Sequence, residues 1–347
     1  MTKAEHESDV RSAIRGYRPG FLAMLVVVAF VLVGWILKSL LPDRSLGSRY
    51  KELVNFRAFT SSSYWNTPLP VDAPVDPDSA RIIAFLNKDN ARGEIRVAGV
   101  SAGGQWGNPI YVARDGDPTY SIVNTCEHPQ PPEFRSLRIP DGAAPDPTSD
   151  ASMTVYDMGK RTVYGFFHTE YDPLKDEWRS CGGAVYYLGS NGLDGTLAQS
   201  DDPRNFGHRG VPPPVFAVRY DEIRAGSIDH VLKIAADTTR CEHVFPMTGD
   251  ECGTMAIYAP PEGTRIRLKP SIDLSRMRLS RPVLIIARAL QRYGAIIGDE
   301  SGTGAELKVE NTVAEGRGPL WKGLISEDSL AMFPFSDFEV IQLSYEA

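Results

Sequence analysis

Hydrophobic positions follow two different rhythms along the chain. Residues 21–37, FLAMLVVVAFVLVGWIL, carry no charge and no strongly polar side chain. Lys38 and Ser39 interrupt the run, and Leu40 and Leu41 extend it to Pro42. At ~1.5 Å per residue, a helix over 21–41 is about 31 Å long, the depth of a bilayer's hydrocarbon core. Lys38 can snorkel to the headgroups and Trp35 suits the interface. The pattern predicts a transmembrane signal anchor over 21–41, between a cytoplasmic tail at 1–20 and a juxtamembrane linker at 42–58. A buried soluble helix and a cleaved signal peptide are the rival readings. Against the second, the run exceeds the ~7–15 residues of a signal-peptide apolar region, and no small-x-small cleavage site follows it. Lys3, Arg11, Arg15 and Arg18 before the run nearly balance Lys38, Arg44, Arg49 and Lys51 at or after it, so charge says little about orientation. A short tail inside and a large C-terminal domain outside is the simpler topology.

From residue 59 the rhythm shortens. Apolar and β-branched runs of three to seven residues recur at 94–97, 110–113, 154–157, 162–168, 184–188, 215–220, 230–235, 255–259, 264–268, 296–298, 306–310 and 338–343, most of them separated by Gly, Pro, Asp or Asn. This predicts an antiparallel β-sandwich, jelly-roll-like, filling residues 59–347 as one extracytoplasmic domain. Two helical signals interrupt it. Asp76-Pro77-Asp78-Ser79 reads as a cap and first turn, continued by Ala80, Ile83, Ala84 and Leu86. Ser280 can cap a second helix with Pro282 in its first turn and Gly294 closing it; Val283, Ile286, Ala287, Leu290 and Tyr293 share one face. A shorter helical turn fits Tyr-Asp-Glu-Ile-Arg-Ala-Gly, with Ile223 packed inward.

Composition agrees with this picture. Glycine (31) and proline (26) make about one residue in six of 347, the surplus a turn-rich β fold needs. The net charge of −7 argues against a nucleic-acid partner, which calls for a basic face. The mean hydropathy of −0.23 averages one bilayer-length run with a polar remainder. All four cysteines lie in the C-terminal part. Cys241 and Cys252 bracket a ten-residue loop and suggest one disulfide, with Cys126–Cys181 as the other; three pairings are possible. A structural zinc site is the rival, but no CxxC or HxxxH spacing is present, so no metal or other cofactor is expected. Oxidised cysteines imply an extracytoplasmic location.

Strong catalytic motifs are absent: there is no GxSxG, P-loop, dinucleotide GxGxxG or HExxH. Candidate chemistry rests on looser clusters. Asp150 and Asp157 precede His168 and Glu170, and strand alternation turns the last two to one side. Carboxylates flanking an imidazole can perform acid–base cleavage of a glycosidic bond; solvated hairpin ends are the plainer reading. His230 opens the apolar run 230–235, as a base or as a structural histidine. Tyr64, Trp65, Trp106 and Trp178 can stack on sugar rings or fill the core. Arg265 and Arg267 share a strand face, where Arg265 can hold an acidic substrate group or sit solvated on an edge.

Three segments together, 226–232, 261–268 and 289–299, resemble a largely uncharacterised group of secreted or membrane-anchored bacterial proteins, mostly actinobacterial. Similar proteins open with a segment like Tyr64-Trp-Asn-Thr-Pro-Leu-Pro and end with one like Asp337-Phe-Glu-Val-Ile. The resemblance covers nearly all of 59–347. It implies an exported β-rich domain of the type shared by lectins, glucanases and polysaccharide lyases, and it implies no particular activity. The cysteine-flanked loop 241–252 departs from the more ordinary Pro-containing loop expected there.

The resulting expectation is a single-pass membrane protein, held in the bilayer through 21–41, whose partner is a polysaccharide or cell-wall glycan. Hydrolysis would use two carboxylates among Asp150, Asp157 and Glu170. A lyase would use His168 or His230 as base. The alternative is a non-catalytic glycan-binding or envelope-scaffolding domain.

Overall fold

The computed structural model describes residues 53–89, 93–127, 129–193 and 209–346. The tail 1–20, the anchor 21–41 and most of the linker 42–58 lie outside the described residues. Among the described residues no helix is long and apolar enough to cross a membrane.

Two sheets carry the fold, which is mainly β with a few short helices. The six-stranded sheet runs β1 (Arg96–Ala98), β14 (Glu306–Lys308), β9 (Leu232–Ala236), β13 (Ala295–Glu300), β12 (Arg265–Leu268) and β15 (Phe338–Val340). The five-stranded sheet runs β2 (Ile110–Ala113), β6 (Met153–Asp157), β7 (Thr162–Asp172), β8 (Glu177–Tyr187) and β4 (Val123–Asn124). Two small pairs add β3 (Thr119–Tyr120) with β5 (Leu137–Arg138), and β10 (Arg240–His243) with β11 (Pro261–Glu262).

Both large sheets are mixed rather than wholly antiparallel. Parallel pairs join β1 to β14, β9 to β13, β2 to β6 and β4 to β8. A parallel pair needs a long crossover. Between β9 and β13 the chain makes one through α3 (Arg281–Arg292). Period-two alternation carries no information on strand direction, so this mixture was not readable from it. Two expected strands are also absent. Residues 213–215 form a 3-10 turn and Tyr220–Ala225 forms the helix α2, leaving Val218 as an isolated bridge to Val309. The run 255–259 forms no strand: Met255 and Ile257 are exposed.

Alternation sorts the side chains into layers. Ile266 and Leu268, Leu232 and Ile234, Ala295 and Ile297, Phe338 and Val340 turn to one face of the six-stranded sheet. There they meet Ile82, Ile83 and Leu86 of α1 (Ser79–Asp89) and Val283, Ile286 and Leu290 of α3. Ser280 caps α3 with Pro282 in its first turn, and Gly294, at φ 72°, follows its end. A second cluster joins the two sheets, with Ile296 of β13 beside Ile110, Val112, Tyr156, Val163, Ala184 and Tyr186. The intervening residues of the same strands, Tyr111, Val155, Tyr164 and Val185, build a third cluster on the far side of the five-stranded sheet. Burial on both faces is why β2 reads as an unbroken apolar run.

Two disulfides tie the periphery: Cys126–Cys181 and Cys241–Cys252. The first links the segment after β4 to β8, and the second closes the loop that follows β10.

Candidate functional site

The sequence after η-turn 213–215 folds back on itself to build a cavity. Glu222 at the third position of α2 accepts from the Arg219 backbone N–H (2.9 Å), so it caps its own helix. Gly226, at φ 103°, ends α2, and the chain turns through Ser227, Ile228 and Asp229 to deliver His230 to the start of β9. Residues 55–59 pass over this turn. Together they enclose a cavity of about 150 Å³, lined among others by Phe56, Trp65, Arg219, Asp221, Glu222, Asp229 and His230.

Arg219 organises the charges. Its Nε donates to Asp221 Oδ1 (3.0 Å), and its Nη2 lies 3.1 Å from Glu222 Oε1. Glu222 Oε1 also faces His230 Nε2 at 2.9 Å, while His230 Nδ1 lies 2.7 Å from the Val231 carbonyl. Both ring nitrogens of His230 therefore have a partner inside the protein. Burial alone would raise Glu222; Arg219 and His230 outweigh it and hold the carboxyl below its usual range. Burial pushes Asp221 up to about 6 against the pull of Arg219, with Glu222 and Glu310 adding to the rise. The contrast follows from contacts. Glu222 gathers three donors, whereas Asp221 has one: its Oδ2 is buried with no hydrogen-bond partner. Asp229 stands at the cavity wall, oriented by Ser227 Oγ (2.9 Å) and Tyr293 OH (3.5 Å).

A second charge cluster gathers around Asp299 of β13. Lys233 donates to Asp299, and Arg209 lies 3.1 Å from Glu262, 2.8 Å from Glu251 and 3.5 Å from Asp299. Burial would raise Asp299, but Lys233, Lys308 and Arg209 pull it down to about 2. Burial lifts Glu262 to about 7; Arg209 opposes the rise while Glu251 and Asp299 reinforce it.

The candidates read from the sequence are dispersed. His230 and Trp65 both line the cavity, Trp65 with its Nε1 donating to the Gly192 carbonyl (3.1 Å). Asp157 ends β6, buried, with Oδ1 on Arg138 (3.0 Å) and on the Lys160 N–H (2.9 Å). His168 is exposed at a bulge in β7, φ 48°, stacked on Phe167. Glu170 is exposed, 3.8 Å from Arg179, and Asp150 lies 3.3 Å from Lys308. None of these four lines the cavity. Tyr64 is buried under Arg265, whose guanidinium sits 4.9 Å above its ring and donates to the Tyr293 carbonyl (2.8 Å). Arg267 is likewise buried, paired with Glu339 (2.6 Å). Trp178 is core, packed against Tyr171. Trp106 is 44% exposed in a Gly-rich turn.

Sequence reasoning placed Glu222 in a helical turn but missed Asp221 and Asp229 as site residues. A signal was present: Arg219-x-Asp221-Glu222 puts two carboxylates beside an arginine at a helix start, eight residues from a histidine. No protein-family model, curated protein or solved structure matches this chain.

Proposed function

We propose that the chain is a membrane-anchored, extracytoplasmic carbohydrate-active protein that cleaves cell-envelope or environmental polysaccharide by acid–base chemistry, on a sandwich-type scaffold. The two disulfides support an oxidising compartment. The observation that carries the reading is Asp221, whose carboxyl is raised to about 6 and whose buried Oδ2 has no partner inside the protein. A carboxyl that keeps its proton in mild acid up to about pH 6, with one oxygen free, is the group that glycosidic-bond cleavage needs as its acid. Asp221 protonates the departing glycosidic oxygen as the bond to the anomeric carbon breaks. Asp229, on the same cavity wall, stabilises the positive charge at that carbon or takes the proton of the attacking water. Glu222 and His230 are positioning residues: they fix Arg219, and through it Asp221.

Hydrolysis is favoured over a lyase reaction here because both His230 nitrogens already have partners. A non-catalytic glycan-binding domain is the second reading, favoured by a larger groove of about 470 Å³ beside the cavity, which suffices for binding alone.

The purified chain should release reducing ends from a polysaccharide panel without forming unsaturated products. Turnover should fall as pH rises through about 6, where Asp221 loses its proton. Asp221→Asn should lower it about 10²–10⁴-fold. Undiminished turnover in both Asp221→Asn and Asp229→Asn refutes the assignment, and binding without turnover supports the second reading.

A further inference from the structure

The groove next to the cavity has a chemistry of its own. It shares Ser227 and Asp229 with the cavity, so the two adjoin along this turn. Its other side is α3, which contributes Ile285, Arg288 and Arg292. Arg281 extends the same row: its Nη2 lies 3.2 Å from where a Cβ on the groove residue Gly226 would be. Residues 281, 285, 288 and 292 are spaced four, three and four apart, which places them on one helix face.

This row stands out in three ways. The chain is acidic overall, with a net charge of −7, yet three arginines line up here. All three are exposed. They are also nearly uncommitted. Arg281 and Arg288 have no ion pair among the described residues. Arg292 rests over the Tyr293 ring at 5.2 Å, and its sole carboxylate neighbour is Asp229 at 3.8 Å. Arg267, also in the lining, differs in being buried and neutralised by Glu339. Exposed arginines with few protein partners along a groove form a row of forked donors matched to carboxylates. Arg288 and Arg292 are about 6 Å apart along the helix axis, close to the length of one sugar unit.

We infer that this groove is the subsite for an acidic glycan, in which carboxylates of successive uronate units pair with Arg288 and Arg292 while the chain enters the cavity past Asp229. The inference rests on the carbohydrate reading above and supplies its substrate class. Arg265 is not the uronate ligand, because the Tyr293 carbonyl and the Tyr64 ring already hold it. The exposed α3 row takes that place.

The test uses the full-length chain in mild detergent and oligosaccharides of three uronate backbones: galacturonate, mannuronate–guluronate, and glucuronate-containing. Each is titrated beside its methyl ester, which keeps the skeleton and removes the charge. At least one free acid should bind about tenfold or more tighter than its ester, and the preference should shrink as salt is raised. Arg288→Ala and Arg292→Ala should each weaken that acid about tenfold and leave the ester unchanged. Lys175→Ala, an exposed cation at the far β7–β8 turn, should change neither. Equal binding of acid and ester across all three backbones overturns the proposal, as does full affinity in the Arg288/Arg292 double variant. Turnover by the unmutated chain separates the two inferences. Acid-selective binding without turnover in the unmutated chain sinks the hydrolase reading and leaves the anionic subsite standing. Turnover of neutral glycans alone does the reverse.

Discussion

Glu262 should make the protein more stable in mild acid than in mild base, and replacing it should remove that dependence. Its carboxyl is fully buried behind Arg209 and rises from an ordinary 4.5 to about 7. The folded state therefore holds a proton that the unfolded chain releases from about pH 4.5 upward. Because the folded value is the higher one, its contribution is fully present below about 4.5 and is lost as pH rises to about 7. The rise from 4.5 to about 7, at ~1.4 kcal/mol for each pH step, corresponds to about 3.5 kcal/mol, of which about 2.5 falls between about pH 5 and pH 8.5.

Glu262→Gln isolates this quantity. The amide keeps the shape and one acceptor for Arg209 Nε, now 3.1 Å from Oε2. Its NH₂ then meets the Glu251 N–H, which lies 3.2 Å from Oε1, donor against donor, at a cost of about 1 kcal/mol. That cost is the same at both pH values and cancels in their difference. Asp221, in the separate Arg219 cluster, titrates in both proteins and cancels to first order, and Asp299, held down at about 2, stays ionised at both pH values. Thermal unfolding of both proteins, followed by tryptophan fluorescence at about pH 5 and about pH 8.5, measures it. The variant should be slightly less stable than the parent at the lower pH. It should gain about 4 °C relative to the parent on moving to the higher pH. An equal Tm difference at both values refutes the argument, since Glu262 would then not carry its proton in the fold.

The two disulfides should differ in worth. Cys126–Cys181 closes a separation of 55 residues and Cys241–Cys252 one of 11, so loss of the first pair should cost about 4 kcal/mol and of the second about 3 in denaturant unfolding. Gly263→Ala should leave little folded protein on size exclusion, because its φ is 99° and a Cβ would meet the Val244 carbonyl oxygen at 1.9 Å. Gly302→Ala, at φ 64° with nothing within 4 Å, should cost only about 1 kcal/mol by the same measure.

Local chemistry was legible where it decided the local structure. The run Ile110–Ala113 is a strand as its β-branched pattern predicts, and α3 starts at a Ser280 cap with Gly294 beyond its end. The loop between Cys241 and Cys252 is short enough that its closure was readable, and Cys126–Cys181 followed from it by elimination. What was not legible depends on what each segment packs against. Residues 255–259 alternate like a strand, but no sheet edge receives them, so Met255 and Ile257 stay in solvent. Trp65, Trp178 and Tyr64 have the surfaces of sugar platforms and are all buried, because the rings complete clusters assembled from distant strands. The arginines show the same effect in reverse. Arg265 and Arg267 stand on a strand and face inward, while Arg281, Arg288 and Arg292, which the sequence reading did not single out, stand exposed on α3.

The cavity shows how neighbouring residues of one type acquire different chemistry. Asp221 and Glu222 are adjacent in sequence and share Arg219, so neither residue type nor the nearest charge separates them. Side-chain length does. The extra methylene lets Glu222 curl back to the Arg219 backbone N–H and also reach His230, and these donors hold it ionised. Asp221 reaches only Nε of the guanidinium, and burial then dominates. His230 therefore acts on Asp221 indirectly: facing Glu222 Oε1 at 2.9 Å, it offsets part of the Glu222 charge that would otherwise push Asp221 higher. Removing the imidazole should leave Glu222 with less compensation, draw Arg219 toward it and away from Asp221, and raise the Asp221 carboxyl further. His230→Gln keeps a donor to Glu222 without the imidazole. On the reading of Asp221 as acid, the alkaline limb of turnover should then move to higher pH while its maximum falls less than in Asp221→Asn. A limb that stays in place shows that His230 and Asp221 are not coupled through Arg219.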